Sequence, residues 1–281
     1  MGPPRPCPPR MASRKTEAKA ASAVAVAPKA GQRAKSAANG AAVAVFERLH
    51  RHHHDAHCEL DHRNPFQLLV ATVLSAQTTD VAVNKLTPAL FERYPSPELL
   101  AKANPAEVEA ALNKIGMFRQ KTRNIIGLST RLVERHAGRV PRTLAELIEL
   151  PGVGRKTANV VLGVAFNAPE GVVVDTHVQR LSQRLGWSRH ADPPEIEQDL
   201  MRAFPQKDWD MLSHVLIFHG RRICTARAPA CAACPVNDAC PSAFRAERVG
   251  RKAPRVRAPK ATARGAAAKS PKKAPKKRPA R

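Results

Sequence analysis

A chain of 281 residues, 43% hydrophobic but only 4% aromatic, can bury one large core or two small ones, packed by aliphatic side chains and alanine rather than rings. The net charge of +24 sits at the ends: residues 1–40 carry +7 and residues 245–281 carry +14, leaving +3 between. No apolar run approaches the ~20 residues of a membrane span and the start lacks the apolar stretch of a secretory signal, so a membrane protein is excluded and a soluble, intracellular chain is expected.

The N-terminal stretch, with "PPRPCPPR" and "KAASAVAVAPKAGQRAKSAA", is rich in Ala, Pro and Lys. Its composition predicts a disordered basic tail over 1–40, because little apolar surface offsets the entropy of ordering. An Arg- and Ala-rich, acid-poor beginning also resembles an organelle transit peptide. The histidines of "HRHHHDAHCELDH", at His50, His52, His53, His54, His57 and His62, read as a solvated helix face in preference to a weak metal site.

Beyond them apolar residues recur at helical spacing, which predicts an all-α core. "PFQLLVATVLSAQ", "SPELLAKANPAEVEAALNKI", "KTRNIIGLSTRLVERH" and "TLAELIEL" read as helices broken at Pro65, Pro95, Pro105, Gly116, Gly138 and Pro141. "GRKTANVVLGVAF", "DTHVQRLSQRLG", "PPEIEQDLMRAF" and "DWDMLSHVLIFHG" continue the series. "VVVD", Val172 to Asp175, fits a short strand or an apolar approach to a helix. No repeat of fixed period occurs, which argues against a solenoid.

In "ELPGVGRKTANVV" one helix ends near Leu150, Pro151 and Gly152 turn the chain, and a second starts near Gly154. Glycines there leave backbone N–H groups uncovered beside the unpaired donors of the new helix, a place where a phosphate can bind. A plain helix–helix turn is the alternative. Lys156 shifts the balance, since a cation in a first helical turn opposes the macrodipole and the neutral amine favoured there is a nucleophile. Such an amine needs a carboxylate, and Asp175 stands at another helix start, where it serves either as an N-cap or as a partner to Lys156.

Four of the six cysteines fall in C-x6-C-x2-C-x5-C: Cys224, Cys231, Cys234 and Cys240. Structural zinc usually shows two close pairs, whereas here one pair has the x2 spacing, so an iron-sulfur cluster is favoured over zinc. Arg221, Arg222 and Arg227 bring cations to this loop, to balance its charge or to face phosphates. Cys58 reads as an ordinary buried thiol. The end, with "KSPKKAPKKRPAR", predicts a second disordered tail over 245–281, suited to a polyanion or to solubility.

"LSAQTTD" (Leu74 to Asp80), "LPGVGRKTAN" (Leu150 to Asn159), "VDTHV" (Val174 to Val178) and the cysteine spacing, in that order, resemble the endonuclease III family of DNA glycosylases and abasic-site lyases, from about Ala41 to Phe244. The resemblance implies two helical domains: a six-helix domain over 61–168 with a helix-hairpin-helix, and a cluster domain built from 41–60 and 169–244. It implies Lys156 as nucleophile at C1′ of the damaged nucleotide, Asp175 as catalytic carboxylate, and a [4Fe-4S] cluster on the four cysteines. The backbone at Gly152 and Gly154 would hold a phosphate, with Arg155 and Arg227 on the DNA. Gln77 would fill the gap left by the flipped base and Met117 would act as an apolar wedge. The implied partner is duplex DNA with oxidised pyrimidines or abasic sites, acted on by a monomer in the cytoplasm, associated with the nucleoid. The related adenine glycosylases, which generally lack this lysine, and a non-catalytic DNA-binding nucleoid protein are the alternatives.

Overall fold

The computed structural model describes residues 30–249, with side chains from Asn39 onward. Segments 1–29 and 250–281, which hold most of both expected tails, lie outside the described residues. Within them all regular structure is helical.

The first helix, α1 (Ala30–His52), begins inside the segment expected as tail. Its Ala-rich start has high helix propensity, and Ala42, Val45, Phe46 and Leu49 anchor its far end in a core. The C-terminal boundary moves too: Ala246 is 2% exposed and the Arg184 Nε donates to the Val249 carbonyl at 2.9 Å, so ordered packing runs past 244.

Between 61 and 168, where six helices were expected, eight helical segments follow one another. They are α2 (Pro65–Leu74), α3 (Asp80–Asn84), α4 (Thr87–Arg93), α5 (Pro97–Ala101), α6 (Pro105–Leu112), α7 (Phe118–His136), α8 (Leu144–Ile148) and α9 (Arg155–Phe166). Prolines in the first turns of α2, α4, α5 and α6, and capping Asn64, Thr79, Asn104 and Thr143, cut the chain into short pieces. α2 is buried along nearly its whole length and packs on α7 and α9. At α8 the Thr143 hydroxyl accepts from the Glu146 N–H at 3.3 Å and donates to the Glu146 carboxylate at 2.6 Å, a side-chain N-cap that fixes the entry to the hairpin.

Residues 172–175 belong to no strand; Val172 and Val173 are buried as the chain runs into α10 (Thr176–Arg184). After it come α11 (Pro193–Ala203) and α12 (Trp209–Arg222). Buried apolar side chains form two clusters. One gathers residues from Leu60 to Leu162; the other combines Ala42–Ala56 with Val172–Val236. α12 spans the join, packing on α1 and α10 and also on α9.

Candidate functional site

A cleft of about 870 Å³ opens between the two clusters, lined among others by Gln77, Asp80, Lys156, Asp175, Asp210 and Arg221. The hairpin delivers Lys156 to it. Gly152 turns the chain at φ +79, and a Cβ there would lie 2.6 Å from the Asn124 Nδ2 and 2.8 Å from the Asn124 Cβ, so both the backbone sign and the space call for glycine. Gly154 caps α9 in an extended conformation, φ −98 and ψ 173, without a side chain to offer. The Val153 N–H bonds the Leu150 carbonyl at 3.1 Å and the helical ladder begins with the Ala158 N–H on the Gly154 carbonyl at 2.9 Å, so the N–H groups of Gly154 to Thr157 have no described acceptor. Lys156 is exposed in that first turn.

Asp175 is an N-cap, the first of the two roles that the sequence left open. Its Oδ1 caps α10, accepting from the His177 and Val178 N–H groups at 2.7 and 2.8 Å. Its Oδ2 takes no hydrogen bond among the described residues, and the side chain lines the same cleft as Lys156. A second carboxylate joins them. Asp80, last residue of "LSAQTTD", is half-buried, and burial pushes its carboxyl above the usual carboxylate range; Lys156 pulls it back and Asp175 adds to the rise. Arg221 reaches Asp80 at 3.3 Å and also pairs with Glu59. Sequence reading gave Asp80 no role, although the motif ends on it.

Gln77 and Met117 are exposed and share a backbone oddity: their φ values are +54 and +57, rare for residues with a Cβ. Holding such a residue left-handed costs about 1–2 kcal/mol, which the surroundings must supply. One visible brace is Lys121, 3% exposed, whose Nζ donates to the Thr78 hydroxyl at 2.6 Å and ties the first turn of α7, just after Met117, to the loop that carries Gln77.

Arg155, expected on the DNA, is exposed and makes an ion pair. Its Nε and Nη2 donate to the Glu197 carboxylate at 2.8 and 3.1 Å, and Asn159 donates to the same carboxylate at 2.9 Å. Glu197 is 6% exposed, and the guanidinium of Arg155, itself half exposed, neutralises that buried charge. Gly171 makes room for this contact, since a Cβ on it would strike the carboxylate. Of the cysteine-loop arginines, Arg221 and Arg222 are held in ion pairs, the latter with Asp55 at 2.8 Å, while Arg227 is exposed.

The four cysteines line one small pocket of about 20 Å³. Among the described residues, no three His, Cys, Asp or Glu side chains converge tightly enough for a single metal ion. Thiols that ring a pocket without meeting at a point suit a polynuclear cluster better than zinc, whose sulfur ligands sit at ~2.3 Å. Burial pushes the Cys234 and Cys240 thiols up, so their ionised form calls for metal cations. Two arginines that sequence reading passed over hold the loop. Arg184, 1% exposed, donates to the carbonyls of Thr225 (2.8 Å) and Ala226 (3.0 Å) and to the Cys224 Sγ (3.2 Å). Arg180 donates to the carbonyls of Gly220 (2.9 Å) and Cys224 (3.1 Å). Their spacing, i and i+4 on α10, placed them on one helix face, but nothing local says that carbonyls await there.

Residues 70–206 match the HhH-GPD superfamily of base excision DNA repair proteins, and residues 224–240 match the iron-sulfur binding domain of endonuclease III. The endonuclease III of Synechocystis sp. is 53% identical over 188 residues, covering 67% of this chain and 86% of its own. That of Bacillus subtilis is 47% identical over 196 residues, covering 69% and 89%. Among solved structures, a trapped endonuclease III–DNA covalent intermediate superposes with TM-score 0.69 at 44% identity, over 75% of this chain and 97% of that one. A thermostable thymine-DNA glycosylase, TM-score 0.62 at 20% identity, shares the fold. Cys224, Cys231, Cys234 and Cys240 stand where this iron-sulfur domain matches, and the cofactor is a [4Fe-4S] cluster. The chain belongs to the endonuclease III family, whose members are base excision DNA repair glycosylases.

Proposed function

We infer that this chain is a bifunctional enzyme, removing oxidised or ring-saturated pyrimidines from duplex DNA and then cutting the strand at the abasic site. The observation that carries this reading is the convergence of Lys156, from the start of α9, and Asp175, from the start of α10, on one cleft. Phosphate binding alone would need neither side chain.

The neutral Lys156 amine attacks C1′ of the flipped nucleotide, and the C1′–N bond breaks as the base leaves with its bonding pair and takes up a proton. The free Oδ2 of Asp175 faces the cation that develops on the sugar and accepts the proton lost by the amine. Opening of the sugar ring gives an iminium; loss of a C2′ proton then expels the 3′ phosphate, and water releases Lys156. The exposed backbone around Gly152 and Gly154 grips a phosphate of the damaged strand, as a helix N-terminus does, and holds C1′ in reach. Gln77 and Met117 occupy the vacated stack, with their left-handed backbones aiming the side chains outward. The cluster, when bound, joins four points of loop 224–240 into one rigid piece. The protein acts as a monomer on damaged duplex DNA in the cytoplasm, at the nucleoid.

Borohydride trapping on a duplex with one abasic site tests this. The intact protein should form a covalent adduct, Lys156→Ala none, and Asp175→Asn one that forms at least about 100-fold more slowly, the order of a lost general acid–base group. An undiminished adduct in Lys156→Ala would remove Lys156 from the chemistry.

A further inference from the structure

Of the six histidines between residues 50 and 62, five are exposed or half-buried and one, His53, is 2% exposed. His53 extends α1 by one residue, its N–H on the Leu49 carbonyl at 2.9 Å, and its ring points at α12. There it meets His219, also 2% exposed, with ring centroids 5.2 Å apart and the His53 Nε2 2.9 Å from the His219 Nδ1. The other ring nitrogen of His219, Nε2, lies 3.5 Å from the Cys234 Sγ, and His219 lines the pocket that the four cysteines ring. The catalytic cleft uses neither ring.

This geometry dictates the direction of both hydrogen bonds. A cysteine sulfur bound to iron is a thiolate and can only accept. The hydrogen on His219 therefore sits on Nε2 and is donated to Cys234. The Nδ1 of a neutral His219 is then a lone pair, so His53 must carry its hydrogen on Nε2 and donate it. Two imidazoles thus form one chain, His53 to His219 to Cys234, that ends on sulfur; each neutral ring fixes the tautomer of the next.

We propose that His53 and His219 form a buried hydrogen-bond relay onto the Cys234 ligand that sets the reduction potential of the cluster. A donor on a cluster sulfur draws off electron density and stabilises the reduced state, so the relay holds the potential up. Cys224 receives its own donor from Arg184, at 3.2 Å, which makes Cys234 the ligand tuned by α1. The solvated-face reading of the histidine run therefore fails at this one residue, whose ring is turned into the core.

The test is made on the full-length, cluster-loaded protein. Redox titration followed by electron paramagnetic resonance should show His219→Phe shifted to lower potential, by about tenfold in the oxidised-to-reduced ratio, or about 59 mV for one electron. His219→Gln, which keeps an N–H near the position of Nε2, should stay close to the parent. His53→Phe should give an intermediate shift. A parent-like potential in both phenylalanine variants overturns the tuning role. Should His219→Phe fail to load its cluster, nitrogen-15 spectra of histidine-labelled parent protein decide the matter. His53 as the Nε2–H tautomer supports the relay, and His53 as the Nδ1–H tautomer reverses its direction and overturns it. Neither readout depends on Lys156, so failure here leaves the proposed lyase chemistry standing.

Discussion

Replacing Arg184 with methionine should loosen the cysteine loop by a predictable amount. The guanidinium is 1% exposed and serves the carbonyls of Cys224, Thr225, Ala226 and Val249. Its loss leaves the Cys224 carbonyl with Arg180 and gives that of exposed Ala226 to water. The carbonyls of Thr225 and Val249 lose their described partner. A buried acceptor left unsatisfied costs about 1–3 kcal/mol; because both residues are only half-buried, about 2–4 kcal/mol for the two is the reasoned figure, near the low end of removing one member of a buried charged pair. For a chain of this size that is a Tm lower by about 5–15 °C. Thermal melts of the loaded protein, followed together by circular dichroism and by the visible absorbance of the cluster, should show both traces shifted, the cluster trace at least as far. Arg184→Lys keeps the charge but not the fork and should fall between. A methionine variant that melts within about 2 °C of the parent with its cluster intact would refute the clamp.

The hairpin glycines separate structure from function. Gly152→Ala forces φ +79 on a Cβ that also strikes Asn124, and should cost about 2 kcal/mol or more in a denaturant melt. Gly154→Ala meets nothing within 4 Å and should leave stability within about 0.5 kcal/mol, yet weaken DNA binding if a phosphate approaches that backbone; unchanged affinity would move the phosphate elsewhere. Asp80 has a native carboxyl pKa raised above its ordinary 3.8. Its contribution favours the native state below that value and is lost as pH rises through the raised one, so at pH 7 the ionised group is a standing cost. Asp80→Asn should therefore raise Tm at pH 7 and not at pH 3; a lower Tm at pH 7 would show that its bond to Arg221 outweighs burial. Removing residues 250–281, thirteen Lys/Arg and no acid, should flatten the salt dependence of binding to undamaged DNA while single-turnover cleavage at saturating protein is kept.

Helices with strong apolar periodicity and clear breakers, such as α7 and α9, were legible in the sequence, as were the hairpin turn and the cysteine loop. α3 and α4 were not, because pieces of five and seven residues carry too little periodicity to stand out from the turns around them. α1 was hidden for a different reason: its composition is that of a solubilising tail, and only the partner surface on α11 and α12 makes its few apolar residues a helix face. Within the site, Lys156, Asp175 and the cysteines announce themselves by type and neighbours. The ion pair of Arg155 was hidden, because its partner is a carboxylate 42 residues away, buried on α11. Arg184, Lys121 and Asp80 act through partners distant in sequence, and no local pattern marks them.

The cluster-side core is assembled from two separated stretches, Ala42–Ala56 and Val172–Val236, whereas the other core is one unbroken stretch. On the ribosome, the stretch from Leu60 to Leu162 has its apolar core partners as soon as it emerges, and α9 still awaits α11 and α12. α1, made first, must wait with Val45, Phe46 and Leu49 uncovered until α10 to α12 have been synthesised. The cysteine loop is translated later still, so its four ligands exist only after α10 to α12 have been made, and a chain broken off after Leu162 would leave α1 as an apolar flag for proteolysis.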